Sequence, residues 1–157
     1  MNFTYRFFAA LGLSLLFSFS AASQAQVQET PPVTETSKQF GNDTVHFSVL
    51  NTSFLSPKVA RSYGIVRGKN KFLINVSVRR QSDGSNSAVR AAITGTQSDL
   101  IHRTPLDFRE VIEQDATYYI AEFAISNDER RDFRLQVSVD DKPSYDIQFI
   151  KMLYVDK

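Results

Sequence analysis

No cysteine and no tryptophan occur in the 157 residues, and glycine, proline and histidine number only six, five and two. The missing cysteine excludes disulfides, a thiolate nucleophile, a cysteine-based zinc site and an N-terminal cysteine for a lipid anchor. His46 and His102 form no HxH or HxxxH pair, so histidine spacing starts no metal site and no metal or cofactor is expected. Glycine is too sparse around Gly64 and Gly68 to cradle a phosphate. Neither a G-x-S-x-G elbow nor an S-x-x-K set is present. The acids of Asp128-Glu129 and Asp140-Asp141 fall in turns, and no pair is fixed across a cleft as a glycosidase needs. Charge of one sign is also lacking. With 18 basic and 17 acidic residues, nucleic acid is disfavoured as the main partner, because phosphate binding needs an excess of Lys and Arg on one face.

Long apolar runs are confined to one place. Phe7 to Phe19 carries no charge, follows Arg6, and is succeeded by Ser23-Gln24-Ala25, with small residues at both positions read by a signal peptidase. The run is short of the roughly 20 apolar residues that a membrane span requires. Residues 1–25 therefore read as a cleavable signal peptide, and the expected location is the periplasm. Its removal takes away only Arg6 among charged residues, leaving 17 of each sign. Residues 26–39, rich in Thr, Glu and Pro, read as a flexible tether.

From Phe40 the chain turns to period-two alternation. Val45, Phe47 and Val49 share one face of a strand, as do Ile74, Val76 and Val78. Val89, Ala91 and Ile93 read as a further strand, and Phe133 to Val139 as another. Tyr119, Ala121, Phe123 and Ile125 line one side of TYYIAEFAI, and Leu106 to Ile112 is a weaker strand. In SYDIQFIKMLYV the apolar set moves from Tyr145, Ile147 and Phe149 to Ile150, Met152 and Tyr154, a slip of one residue that predicts a β-bulge. Turn signals lie at 82–87, 126–132 and 140–144. About seven short strands in residues 40–157 predict a single all-β domain, an immunoglobulin-like antiparallel β-sandwich. Asp115 and Tyr119 resemble a tyrosine corner of that class, with Ala121 where immunoglobulin domains carry cysteine.

One stretch breaks the alternation. In FLSPKVARSYGIVR, Ser56 can cap a helix, Pro57 suits its first position, Gly64 suits the residue past its end, and Ile65 can fold back on the last turn. A helix over 57–63 is too short to stand alone and must be docked. Val59 and Tyr63, four apart, define its expected buried face. The segment His46 to Val78 resembles the family known as domain of unknown function 4426, small exported proteins of Gram-negative bacteria. Asn51, Phe54, Leu55, Pro57, Val59, Ala60, Tyr63, Ile65 and Arg67 stand at its motif positions. That resemblance implies a periplasmic protein and no particular activity.

The densest basic stretch, Arg67-Gly68-Lys69-Asn70-Lys71, follows the helix, with Arg61 six residues before it. Tyr63, Arg67, Lys69, Lys71 and Arg61 are accordingly the candidate surface for a partner, since clustered cations attract an acidic group. The leading expectation is a non-enzymatic periplasmic module that binds a protein or envelope component. The alternatives are a small-molecule binding protein, which needs an apolar void, and a hydrolase using His46 with a nearby acid.

Overall fold

The computed structural model describes residues 35–99, 101–140 and 142–157. The leader expected over residues 1–25 lies outside them. Ten antiparallel strands occur among these residues: β1 (Ser37–Phe40), β2 (Asp43–Asn51), β3 (Lys71–Ser82), β4 (Ser85–Val89), β5 (Ala92–Ser98), β6 (Arg103–Pro105), β7 (Arg109–Glu113), β8 (Ala116–Ala124), β9 (Glu129–Ser138) and β10 (Tyr145–Leu153). One sheet runs β1-β2-β3-β8-β7, with β4 also on β3; the other runs β10-β9-β5-β6. The molecule is thus the all-β sandwich that the alternation predicts. β1 draws Ser37 to Gln39, expected as tether, into the first sheet.

The inward residues of both sheets form one core around Val45, Phe47, Ile74, Val76, Phe133, Leu135 and Ile147. Phe47 stacks on Phe149 at 4.7 Å and Phe149 on Phe133 at 4.8 Å, so aromatic faces bridge the two sheets. At one end Asp43 accepts two hydrogen bonds from the Arg80 guanidinium, at 2.6 and 2.9 Å, and one from the Tyr145 hydroxyl at 2.8 Å. This cluster ties β2 and β3 to β10 across the sandwich.

The strand count exceeds seven because one expected strand is divided and β1 and β6 form outside the expected strands. Val89 to Ile93 is not one strand: Val89 ends β4 in the first sheet, and Ile93 lies in β5 of the second. Both sheets face the same core, so inward alternation continues through the crossover and hides it. The weaker strand expected over Leu106 to Ile112 is β7, and buried Leu106 lies in the second crossover, between the short additional strand β6 and β7. Tyr119 marks the first crossover. Its hydroxyl accepts from the Ala91 amide at 2.8 Å and donates to Glu110 at 2.9 Å, whereas a tyrosine corner bonds nearby upstream backbone. Arg90 pairs with the same carboxylate at 2.5 Å.

The expected bulge in the last strand is absent. Pairing of β10 with β9 is unbroken from Tyr145↔Val137 to Leu153↔Glu129. Ile150 and Met152 therefore point outward and are exposed, while Lys151 takes the inward position between Phe149 and Leu153.

Candidate functional site

The helix α1 spans Pro57–Ser62. The Ser56 hydroxyl accepts from the Val59 amide at 3.2 Å, and Pro57 needs no donor at the first position. At the other end Gly64 adopts φ +61°, and the amides of Ile65 and Gly64 donate to Ala60 and Arg61 carbonyls at 2.8 and 3.2 Å. These two bonds close a Schellman cap. The start and stop signals of the sequence are all used.

The segments on either side of α1 are pinned by two buried side chains that precede it. Asn51 donates through Nδ2 to the Lys69 carbonyl at 2.6 Å and accepts from the Ser53 amide at 2.8 Å. Thr52 is fully buried; its Oγ1 accepts from the Gly68 amide at 3.0 Å and has the Lys71 and Val66 carbonyls at 3.2 Å. A threonine hydroxyl is a suitable hub, since it accepts and donates at one atom. Sequence reading passed over both residues as site elements, although Asn51 leads the family motif.

So anchored, α1 lies over the outer face of the first sheet. Ala60 and Ile65 pack on Leu73 and Ile120 in a second apolar cluster, separate from the main core. The expected buried face needs correction. Val59 is 41% exposed and Ala60 only 2%, because the sheet meets the helix about one residue round from the Val59–Tyr63 row. Tyr63 is half-buried, and its hydroxyl donates to Glu113 on β7. That bond to a carboxylate raises the phenol above its ordinary range.

Between helix and sheet remains an apolar groove of about 230 Å³. Leu50, Leu73, Ile120 and Val111 belong to its sheet wall, and Leu55, Val59, Tyr63 and Ile65 to its helix wall. Among its lining residues Asn75 places a buried Oδ1 that accepts no hydrogen bond from the protein. The outer face of the second sheet differs, being lined by Thr94, Thr96, Arg134, Gln136, Asp146 and Gln148.

Of the candidate surface residues, Tyr63 lines the groove, while Arg61, Arg67 and Lys69 are exposed and Lys71 is half-buried. Arg67 donates to the Ser53 carbonyl at 2.8 Å. Among the described residues, none of Lys58, Arg61, Arg67, Lys69 and Lys71 lies within ion-pair distance of a carboxylate, whereas Arg80, Arg90, Arg109, Arg130 and Arg131 all do. His46 is exposed on the outer face, facing Ser37 and Ser77, with no carboxylate at ion-pair distance. His102 approaches Asp99 at 3.7 Å in a surface turn. Among the described residues no three His, Cys, Asp or Glu side chains gather as metal ligands.

Fold and site together define a class: an antiparallel β-sandwich with a capped helix over one outer face and a basic loop beside it. The chain belongs to the family described as Domain of unknown function (DUF4426), which matches residues 37–156. It is 37% identical to the DUF4426 family protein of Pseudomonas aeruginosa, whose crystal structure superposes with a TM-score of 0.67 over 77% of this chain and 95% of that one. Two structures of FetP from uropathogenic Escherichia coli share the fold. The as-isolated protein, expressed in the periplasm of E. coli, is 8% identical with a TM-score of 0.56 over 79% of this chain and 96% of that one. A copper-bound variant is 10% identical with a TM-score of 0.55 over 76% and 94%. At such identities the likeness concerns the fold alone. No curated protein matches the chain significantly. No helix among the described residues is long and apolar enough to cross a membrane.

Proposed function

We propose that the protein is a non-catalytic periplasmic binding module that recognises an acidic segment of another protein, with one apolar side chain of that segment seated beneath α1. The supporting observation is the set of five unpaired cations on the same segment that forms the helix wall of the groove. Elsewhere among the described residues five arginines, Arg80, Arg90, Arg109, Arg130 and Arg131, are matched with acids. Arg79, Arg103 and Arg134 are scattered singly, so unpaired charge is densest beside the groove while the overall balance stays near neutral. Local surplus charge steers and orients an acidic partner. Groove size supports a protein segment over a small molecule. About 230 Å³ lies below the roughly 300–1,000 Å³ of ordinary small-molecule sites, yet suffices for an apolar anchor side chain. Asn75 Oδ1 would accept a donor from the incoming chain. The leader-like residues 1–25 support export, and the exposed, acid-free setting of His46 lends a hydrolase no support.

The test combines crosslinking in the periplasm with a charge reversal, Arg67→Glu together with Lys69→Glu. Both side chains are exposed, so stability should change by less than about 1 kcal/mol. Capture of the partner should be lost, and binding of an Asp/Glu-rich peptide carrying one Leu should weaken as salt rises. A folded double variant that captures the same partner at full strength would refute the reading.

A further inference from the structure

We propose that β10 is a dimerisation edge, pairing antiparallel with the β10 of a second copy so that two four-stranded sheets continue as one. The nine residues of β10 have β9 as their only ladder partner. Its other edge presents backbone donors and acceptors that no other described segment of this chain takes up. Such edges are ordinarily blunted by shortness, proline, bulges or charged side chains, inward-pointing ones included. The other edge strands are shorter or charged: β1 has four residues, β6 three, β4 five, and β7 five with Arg109, Glu110 and Glu113. β10 has no proline and no bulge. Its outward side chains end instead in an apolar row, Ile150 at 55% exposure and Met152 at 45%, continued just past the strand by Tyr154 at 64%. Lys151, its one cation, takes an inward position and is the single such device on the strand, one that the pairing must accommodate.

The register identifies a second copy as occupant. A two-fold pairing centred on Ile150 sets that residue against the partner's Ile150, and Gln148 against the partner's Met152. Asp146 then meets the partner's Tyr154, a phenol donor for its carboxylate. On the inner face Phe149 meets the partner's Lys151, whose stem can lie along the ring while its ammonium reaches water. No like charges are opposed, and cross-strand pairs of these kinds are favourable. The row is therefore complementary to itself.

The absence of cysteine makes the test clean. Opposed Cα atoms in an antiparallel pair stand about 4.5–5.5 Å apart, within disulfide reach. The mature protein should sediment as a dimer with a concentration-dependent monomer fraction. Ile150→Cys should give a disulfide-linked dimer on mild oxidation, whereas Ile112→Cys, equally exposed on β7, should remain largely unlinked. Ile150→Lys with Met152→Lys should yield a folded monomer. A protein monomeric at every concentration, or a dimer that Ile150→Cys fails to link, overturns the proposal. So does equal linking through Ile112→Cys.

Discussion

A Cβ added at Gly95 would stand 2.7 Å from Leu135 Cδ2 and 2.9 Å from the Arg134 carbonyl oxygen, with Phe108 at 3.3 Å. The residue is glycine chiefly because β9, paired with it through Leu135, leaves no room for a Cβ, while the segment from β6 to β7 closes the other side through Phe108 and the Leu106 amide bonded to its carbonyl at 2.9 Å. Neither the carbonyl nor the packed Leu135 can withdraw cheaply. Gly95→Ala should lower stability by about 1–3 kcal/mol, read as a fall in the urea midpoint at unchanged slope. Nothing in the sequence announces this: Gly95 sits in an ordinary β alternation, and its constraint comes from Arg134 and Leu135, some forty residues later. Tyr119 is the opposite case. Its place at a strand start after Asp115 was visible, but not its true partner 28 residues upstream.

At the scale of the element, α1 was legible because its signals are local. Ser56, Pro57, Gly64 and Ile65 each act within a few residues of themselves. Which face is buried was not legible, since it depends on where the sheet lies beneath. Ala60→Asp should therefore cost several kcal/mol by burying a carboxylate without a partner. Val59→Asp, at the groove rim, should cost under about 1 kcal/mol, as surface substitutions usually do. Thermal unfolding of the two variants separates them, and equal losses would mean that helix and sheet meet differently. The apolar slip in β10 was misread for a related reason. Periodicity reports a change of face, and a bulge and an exposed row produce the same pattern. Four of the five cations, Arg61, Arg67, Lys69 and Lys71, are legible from composition as one surface, while Lys58 joins them only in the fold and the groove beside them needs β2, β3, β7 and β8 brought together.

For the whole molecule, Asp43 is the joint between sheets, 1% exposed and held by Arg80 and Tyr145. Hydrogen bonds from the Arg80 guanidinium, outweighing the opposing effect of burial, lower its carboxyl to about 2 from 3.8. A carboxyl lowered on folding stabilises the native state above its unfolded value, and that contribution is lost as pH falls through the folded value. Asp43 should accordingly contribute about 2 kcal/mol above pH 4, declining between pH 4 and 2. Urea unfolding across that window should show the decline, and Asp43→Asn should remove it along with much of the stability. The β-sandwich class was readable because each strand writes its own alternation. The order of strands was not, because it is set by pairings tens of residues apart that leave no mark on local periodicity.

β3 carries two strands on one edge, β8 along Lys71–Val76 and β4 along Val78–Ser82. The second pairing closes through Asp83 and Gly84, both at positive φ, the backbone of a tight hairpin turn. A two-residue loop closes much sooner than the long connection that returns β8. When β8 arrives, the edge beyond Ser77 is already occupied, with Val89 standing opposite Val78, where a one-residue slip toward the hairpin would carry Tyr118. The short hairpin thus works as a stop against which the later strand is measured. A slip of one residue, which would turn Tyr119, Ala121 and Phe123 out to solvent, meets a wall before it meets an energetic penalty.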